Sequence, residues 1–391
     1  MPADYTLWRD PSAPDWRRAI DAARYTSPAR LADEQARVFA RTWQLAGRAD
    51  QLRQPGDYFT CEIGGESLLV THAGASGLHA FYNVCRHRGR QLLDADACGH
   101  LRNVQCPYHG WTYGLDGRLR AVPDAASFPG LDIDAISLHP VALDVWQGLV
   151  FVKLEPGGDS LRTHLAELAD CLGSAFEPAV LVGVKTFHLD ANWKTALEAF
   201  LETNHIATLH PRVGKGLVFD QTALAHFRRH SLTAVPSVKT ADWAARRTRP
   251  WREWIVDPGT TELHFSIFPN VTVHLFAWGL TFLFRCLPDR SDPERMRLDV
   301  WSWKRLGAGE TPPPSLSMPD AMGEVFRQDY DNIPLVQRGV RSRAFAGPRL
   351  SLVESRIGHF HAALDDLLAG AAGTAPESMR GSPSGQLFQR S

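Results

Sequence analysis

Four side chains of metal-ligand type fall in two short strings of this 391-residue chain. Cys85-Arg86-His87 is followed, after eighteen intervening residues, by Cys106-Pro107-Tyr108-His109. Thiolates and imidazoles in that proportion suit zinc, or an iron–sulfur cluster in which two Cys hold one iron and two His the other. Zinc knuckles usually space their ligands two to four residues apart, as in Cys-x2-Cys. Here each string gives one Cys and one His, the first with a single residue between them, so each loop reaches both irons of a cluster. Exchanging two thiolates for neutral imidazoles removes negative charge and raises the reduction potential.

A second group lies further along, in Glu202-Thr-Asn-His205-Ile-Ala-Thr-Leu-His210-Pro211. The apolar spacing predicts a helix over Trp193–His205. On an ideal helix, residues five apart are turned about 140° from one another, too far to grip one ion. A shared ion therefore requires a π-type bulge or a break, expected at Ile206–Leu209 and helped by Pro211. Taken alone, the two histidines read equally as interior or surface residues.

These groups need elements to position them. Leu31–Leu45 has helical spacing, and Pro55-Gly56 then opens a strand-like texture: Asp57–Ile63, Ser67–His72, Leu78–Val84 and Trp111–Leu115, with a hairpin signal at Asp116-Gly117. Glu155-Pro-Gly-Gly-Asp159 reads as a boundary. Beyond it come a helical stretch at Ser160–Leu172, a short run at Thr186–Leu189, and strands at Glu262–Phe268, Val271–Phe276, Leu280–Leu287 and Arg297–Trp303. A Pro-rich loop at 311–315 precedes two more helices. The last starts at a Ser351-Leu-Val-Glu354 capping box and runs to Gly370.

Composition is that of an ordinary globular protein, with 44% hydrophobic and 22% charged residues. A net charge of −1 creates no overall field that would select nucleic acid or an anionic membrane. No apolar run approaches the ~20 residues of a membrane span. Pro2, Pro11, Pro14 and Pro28 interrupt a polar start without a signal-peptide core, so a cytoplasmic location is expected. Cys61, Cys98, Cys171 and Cys286 are expected to be buried free thiols.

Ala80–Arg90 (AFYNVCRHRGR) and Cys106–Leu115 (CPYHGWTYGL), with flanks from Phe39-Ala-Arg-Thr-Trp43 to Gly117-Arg-Leu119, resemble the Rieske domain of ring-hydroxylating oxygenase α subunits. The Asn192-Trp-Lys…Glu202-x-x-His205-x4-His210 stretch is similar to the same family's iron-binding segment. Glu324–Gly339 resembles its late helix, with Asp329 eight residues before a Gln-x-Gly, and Ser351–Leu368 its last helix. Ala199 after Glu198, and Asn204 before His205, depart from the family's pattern.

The resemblance spans about residues 30–370. It implies an α+β fold in which a small all-β Rieske domain is inserted ahead of a catalytic domain of helix-on-antiparallel-sheet type (helix-grip, START-like). The expected boundaries are 1–42 for an N-terminal helical segment packing on the catalytic domain, 43–155 for the Rieske domain, 156–372 for the catalytic domain, and 373–391 for a disordered tail. The family's ligand set carries over as Cys85, His87, Cys106 and His109 for a [2Fe–2S] cluster, and His205, His210 and Asp329 for mononuclear Fe(II), Asp331 being the rival carboxylate. Glu202 would bridge to a Rieske histidine of a neighbouring subunit. His359 and His361 read as packing or surface residues.

By the same resemblance, electrons come from NAD(P)H through a separate reductase or ferredoxin, for which Arg86, Arg88 and Arg90 offer a basic docking surface. The assembly implied is a homotrimer, with or without a β subunit, using O2 and having no nucleic-acid or membrane partner. An aromatic substrate is the family's commonest case, with oxidation or demethylation of an alkylated amine or ether as the alternative. An electron carrier without oxygenase activity, and a zinc-stabilised binding protein, are the readings from other classes. Phe265, Phe268, Val273, Phe276, Trp278 and Phe282 are candidate pocket residues.

Overall fold

The computed structural model describes residues 6–172, 176, 179–238, 261–276, 279–306 and 320–370. Trp278, the Pro-rich loop and the tail beyond residue 372 lie outside them. The cysteine-bearing strings sit in an all-β unit. Its seven-stranded sheet runs Gln44–Arg48, Leu149–Lys153, Pro140–Trp146, Leu78–Tyr82, Glu66–His72, Asp57–Ile63, Cys98–His100, and a three-stranded sheet is made of Val104–Gln105, Thr112–Tyr113 and Leu119–Ala121. The chain turns from Thr112–Tyr113 into Leu119–Ala121 through Asp116-Gly117, as the sequence predicts.

The second unit is built on an eight-stranded sheet in the order Thr6–Arg9, Ala223–His226, Ser231–Pro236, Thr261–Ile267, Val271–Leu275, Leu280–Pro288, Met296–Arg305, Ala179–Leu189. All its pairs are antiparallel except the first, which is parallel. Side chains alternate between faces along each strand. One face carries Phe282, Phe284, Leu298 and Val300 against the helices Trp193–Ala199, Asp320–Val340 and Ser355–Gly370. The other carries Leu263, Phe265, Val273, Leu283 and Trp301 against the short helices at Leu161–Leu165 and Glu167–Cys171 and against Trp43, Leu45, Leu149 and Phe151 of the β unit. Arg285 ties the two units together. It pairs with Asp299 at 2.6 Å and donates to the Leu45 and Ala46 carbonyls at 2.7 and 2.9 Å.

The helices are locked to one another by buried polar contacts. Gln337 Oε1 accepts from the Asn192 N–H at 3.0 Å and the Thr195 hydroxyl at 2.9 Å, which fixes the register of the long helix against the Trp193–Ala199 helix. Lys194 Nζ reaches Glu34 Oε2 at 2.8 Å, and Trp193 Nε1 donates to the same oxygen, so the N-terminal helical residues pack beside the site. Among the described residues no helix is long and apolar enough to cross a membrane.

Some local expectations fail. The predicted Leu31–Leu45 helix becomes an α-helix at Pro28–Glu34 and a π-turn at Gln35–Phe39, after which Gln44–Arg48 is a strand, because Leu149–Lys153 offers it hydrogen-bonding partners that helical spacing cannot foresee. Ser160–Leu172 is broken at Ala166, whose φ is +46°. Cys98 is exposed and Cys171 half-buried, while Cys61 and Cys286 are buried as expected. The Ser351–Glu354 capping box forms, with Glu354 Oε2 accepting from the Ser351 N–H at 2.8 Å.

Candidate metal centres and the cavity beside them

The two cysteine-bearing loops are built alike. In the first, Cys85 N–H donates to Arg90 O at 2.8 Å and Gly89 N–H to Cys85 O at 3.0 Å; in the second, Cys106 N–H donates to Trp111 O at 2.8 Å and Gly110 N–H to Cys106 O at 3.0 Å. Gly89 and Gly110 close these turns at φ +75° and +71°, where a side chain would be strained. Both cysteines are buried, whereas His87 is half-buried and His109 exposed. The imidazoles meet edge-on with centroids 4.7 Å apart, and Trp111 stacks on His87 at 4.9 Å.

The donor set fits a cluster. His87 Nδ1 is buried without a partner, and an iron would satisfy it. Burial, together with the nearby His109 and Arg88, lowers the His87 pKa, favouring the neutral ligand form. Burial raises the pKa of the Cys85 thiol, against which Tyr113 acts. Tyr113 Oη lies 3.3 Å from Cys85 Sγ and accepts from the Arg86 N–H at 2.9 Å, leaving its own proton for the sulfur. Arg86, Arg88 and Arg90 are all exposed. Arg88 lies over Tyr108 at 5.4 Å, and Tyr108 packs on His109 at 3.7 Å.

The histidine pair has a different local basis from the one expected. The helix capped by Asn192 ends at Ala199, so the chain breaks before both histidines rather than between them. Ile206–Leu209 is itself a four-residue helix, with His205 at its start and His210 at its end. Glu202 makes this possible by accepting the His205 N–H at 3.2 Å, and its carboxylate also takes the Asn204 N–H. The break replaces an interior helix turn with side-chain capping, and it brings the two rings to 5.3 Å at 83°.

Each imidazole is held from behind. His205 Nδ1 bonds Glu202 Oε1, and His210 Nδ1 meets Gln328 Oε1 at 2.7 Å, so both Nε2 atoms turn inward. There they meet Asp329 Oδ1, at 3.8 Å from His205 and 2.8 Å from His210. One ligand atom from each of the three residues lies within 4.8 Å of the others. Two imidazoles and one carboxylate on one side are the donor set of non-haem Fe(II) oxygenases. Burial opposes a charge on His210, but the bonds to Asp329 and Gln328 outweigh it and raise its pKa. Asp331 points away, exposed and paired with Arg327 at 3.0 Å.

Beside this trio is a cavity of about 60 Å³, lined by Phe200, Phe276, Phe284 and Phe326 with Glu262, His264 and His274 on the sheet side. Of the pocket residues expected from sequence that the structure describes, Phe276 alone lines it. Phe265 and Val273 fall on the opposite face by strand alternation, and Phe268 and Phe282 are core residues behind the wall. Gln328 and the polar wall were missed. A Glu-x-His pair inside the fully buried Thr261–Ile267 strand was the available signal for the latter. His361 and His359 are buried packing residues: His361 Nε2 bonds Glu198 at 2.7 Å and His359 Nε2 the His230 carbonyl at 3.1 Å.

Known proteins match both units. The family described as Rieske [2Fe-2S] domain matches residues 42–138, and the ring hydroxylating alpha subunit (catalytic domain) matches 176–370. The chain is 29% identical over 362 residues to the chloroplastic choline monooxygenase of Spinacia oleracea, covering 88% of this chain and 77% of that one. It is 28% identical over 359 residues to the carnitine monooxygenase oxygenase subunit of Escherichia coli K12, covering 88% and 91%. Among solved structures, the quaternary ammonium Rieske monooxygenase CntA with L-carnitine superposes at TM-score 0.74 and 22% identity over 89% of this chain and 95% of that one. Naphthalene 1,2-dioxygenase from a Rhodococcus species with indole superposes at 0.69 and 22% over 90% and 94%.

Proposed function

We propose that this chain, which belongs to the Rieske non-haem iron oxygenase α subunits, oxidises a compact alkylated ammonium compound at a carbon beside its nitrogen. It is an oxidoreductase whose cofactors are a Rieske [2Fe–2S] cluster and a mononuclear iron, fed with electrons by a partner protein. When bound, the cluster relays single electrons and the iron activates O2. In the proposed reaction one oxygen atom enters a C–H bond and the other leaves as water, with two electrons supplied by NAD(P)H through a reductase or ferredoxin.

Cys85, Cys106, His87 and His109 hold the cluster in this reading. His205, His210 and Asp329 hold the iron, while Glu202 and Gln328 orient its imidazoles. In a ring-shaped homotrimer Glu202 would also meet a cluster histidine of the neighbouring subunit, which would make it the electron entry point.

One observation carries the proposal: the two inward Nε2 atoms and the Asp329 carboxylate converge at the end of a cavity walled by four Phe rings. Aromatic faces attract quaternary ammonium groups through their quadrupoles. The relatives that oxidise choline and carnitine support the ammonium alternative over the arene expected from sequence.

The test is product analysis under labelled O2 with a panel of trimethylammonium compounds and aromatic acids. Label in the product of an ammonium substrate is expected. Turnover of aromatic acids alone would overturn the substrate reading.

A further inference from the structure

The sheet wall of the cavity holds polar groups that the reaction does not use. Glu262 and His264 are two apart on one strand and so share a face, and His264 stands directly opposite His274 on the next. Their rings stack at 4.0 Å and 5°. Glu262 Oε2 is 3.8 Å from His264 Nε2, beyond hydrogen-bond reach. All three residues are more than nine-tenths buried, at 7%, 4% and 7% exposure for Glu262, His264 and His274.

The Nε2 atoms of both histidines are buried without a hydrogen-bond partner. Each such group destabilises the fold unless something satisfies it, and here both atoms belong to residues that line a cavity. A neutral imidazole carries one donor and one acceptor nitrogen, so a hydroxyl, which both donates and accepts, satisfies an open Nε2 in either tautomer. Burial lowers the pKa of both His264 and His274, consistent with neutral rings.

Glu262 presents acceptors, and no Lys or Arg is found among the described residues lining the cavity. The wall therefore sets a carboxylate and two unpartnered imidazole nitrogens opposite a cluster of Phe rings. Phe200 and Phe284 stack at 4.2 Å, and Phe326 meets Phe284 edge-on at 5.6 Å.

We infer that Glu262 and His274 form a subsite that selects a cation carrying a hydroxyl or N–H donor and rejects cations carrying a carboxylate. This rests on the ammonium reading of the cavity and narrows it to amino alcohols or donor-bearing alkylamines. The Phe rings hold the alkylated cation, Glu262 adds the counter-charge and accepts the donor hydrogen, and the open His274 Nε2 bonds the same hydroxyl. A carboxylate in the same place would face Glu262, with no cationic side chain among the described lining residues to meet it.

The test is calorimetric binding to the intact protein, with turnover measured in parallel. The probes are choline, its neutral carbon isostere 3,3-dimethylbutan-1-ol, its O-methyl ether, glycine betaine and L-carnitine. Wild-type protein is expected to bind choline at least about 10-fold more tightly than the ether, the neutral isostere or the two carboxylated cations. Glu262→Gln should cut the preference for choline over the neutral isostere about 10-fold, and Glu262→Asp should retain most of it. His274→Phe should abolish the preference for choline over its ether. Unchanged iron and sulfide contents show that the variants are assembled. Equal wild-type affinity for choline and glycine betaine, or a Glu262→Gln profile identical to wild type, would overturn the subsite. Failure of wild type to bind or oxidise any trimethylammonium probe would instead overturn the ammonium reading beneath it.

Discussion

The two candidate metal centres of this chain are assembled in opposite ways. The cluster loops are local: each supplies one Cys and one His from a single tight turn, and the two turns repeat the same pair of backbone hydrogen bonds. The iron site is a long-range construction. His210 and Asp329 are 119 residues apart, and their meeting depends on Gln337, Glu34 and Lys194 holding helices in register. A site written in a turn tolerates changes elsewhere in the molecule, whereas one written across helices inherits every weakness of their packing.

The largest effect should come from the local site. Cys106→Ser is expected to abolish the cluster's visible and EPR spectra and all turnover, while iron binding at His205 and His210, measured by metal analysis, persists. Loss of both metals together would break the distinction between the sites.

Lys194→Met probes the opposite dependence. It removes the ammonium from buried Glu34 and leaves Arg30 Nε at 3.3 Å and Trp193 Nε1 at 3.0 Å as its partners, so the loss should fall below the ~3–5 kcal/mol of a buried charge left wholly unpaired. Denaturant unfolding should show that loss for the helix-bearing unit, with mononuclear iron retained poorly and the cluster spectrum intact. A cluster lost in step with the iron would contradict independence.

How much of this was legible in sequence follows the same division. Cys85, His87, Cys106 and His109 stand out in sequence as a candidate set because residues, turn and neighbours are contiguous. His205 and His210 stand out as a candidate pair, but the chain break was misplaced, because Glu202 bonding the backbone at a new helix start is a side-chain event that periodicity does not encode. The cavity was the least legible. Phe265 and Val273 carry the right chemistry on the wrong face, and only the pairing of strands shows which face meets the helices. Gln328 has no signal of its own, since its role exists only where the long helix passes His210.

Gln328→Leu should weaken iron binding roughly 10–100-fold, the usual cost of losing a hydrogen bond behind a metal-bound histidine. Chelator competition measures it, with the cluster unaffected. Tyr113→Phe is the smallest expected change and concerns the other centre. Losing the hydroxyl's bond to Cys85 Sγ favours the oxidised cluster, so its potential should fall by on the order of tens of millivolts in a redox titration. An unchanged potential would show that this hydrogen bond does not tune the cluster.

The central claim, that the cluster's electrons end at a separate iron held by His205, His210 and Asp329, meets its most direct test in Asp329→Ala. Iron, sulfide and product should be quantified after a single turnover of reduced protein with O2 and a trimethylammonium substrate. The account predicts a full cluster complement with normal spectra, loss of the mononuclear iron, and no product. Product formed at the wild-type yield, or retention of the third iron, would contradict it.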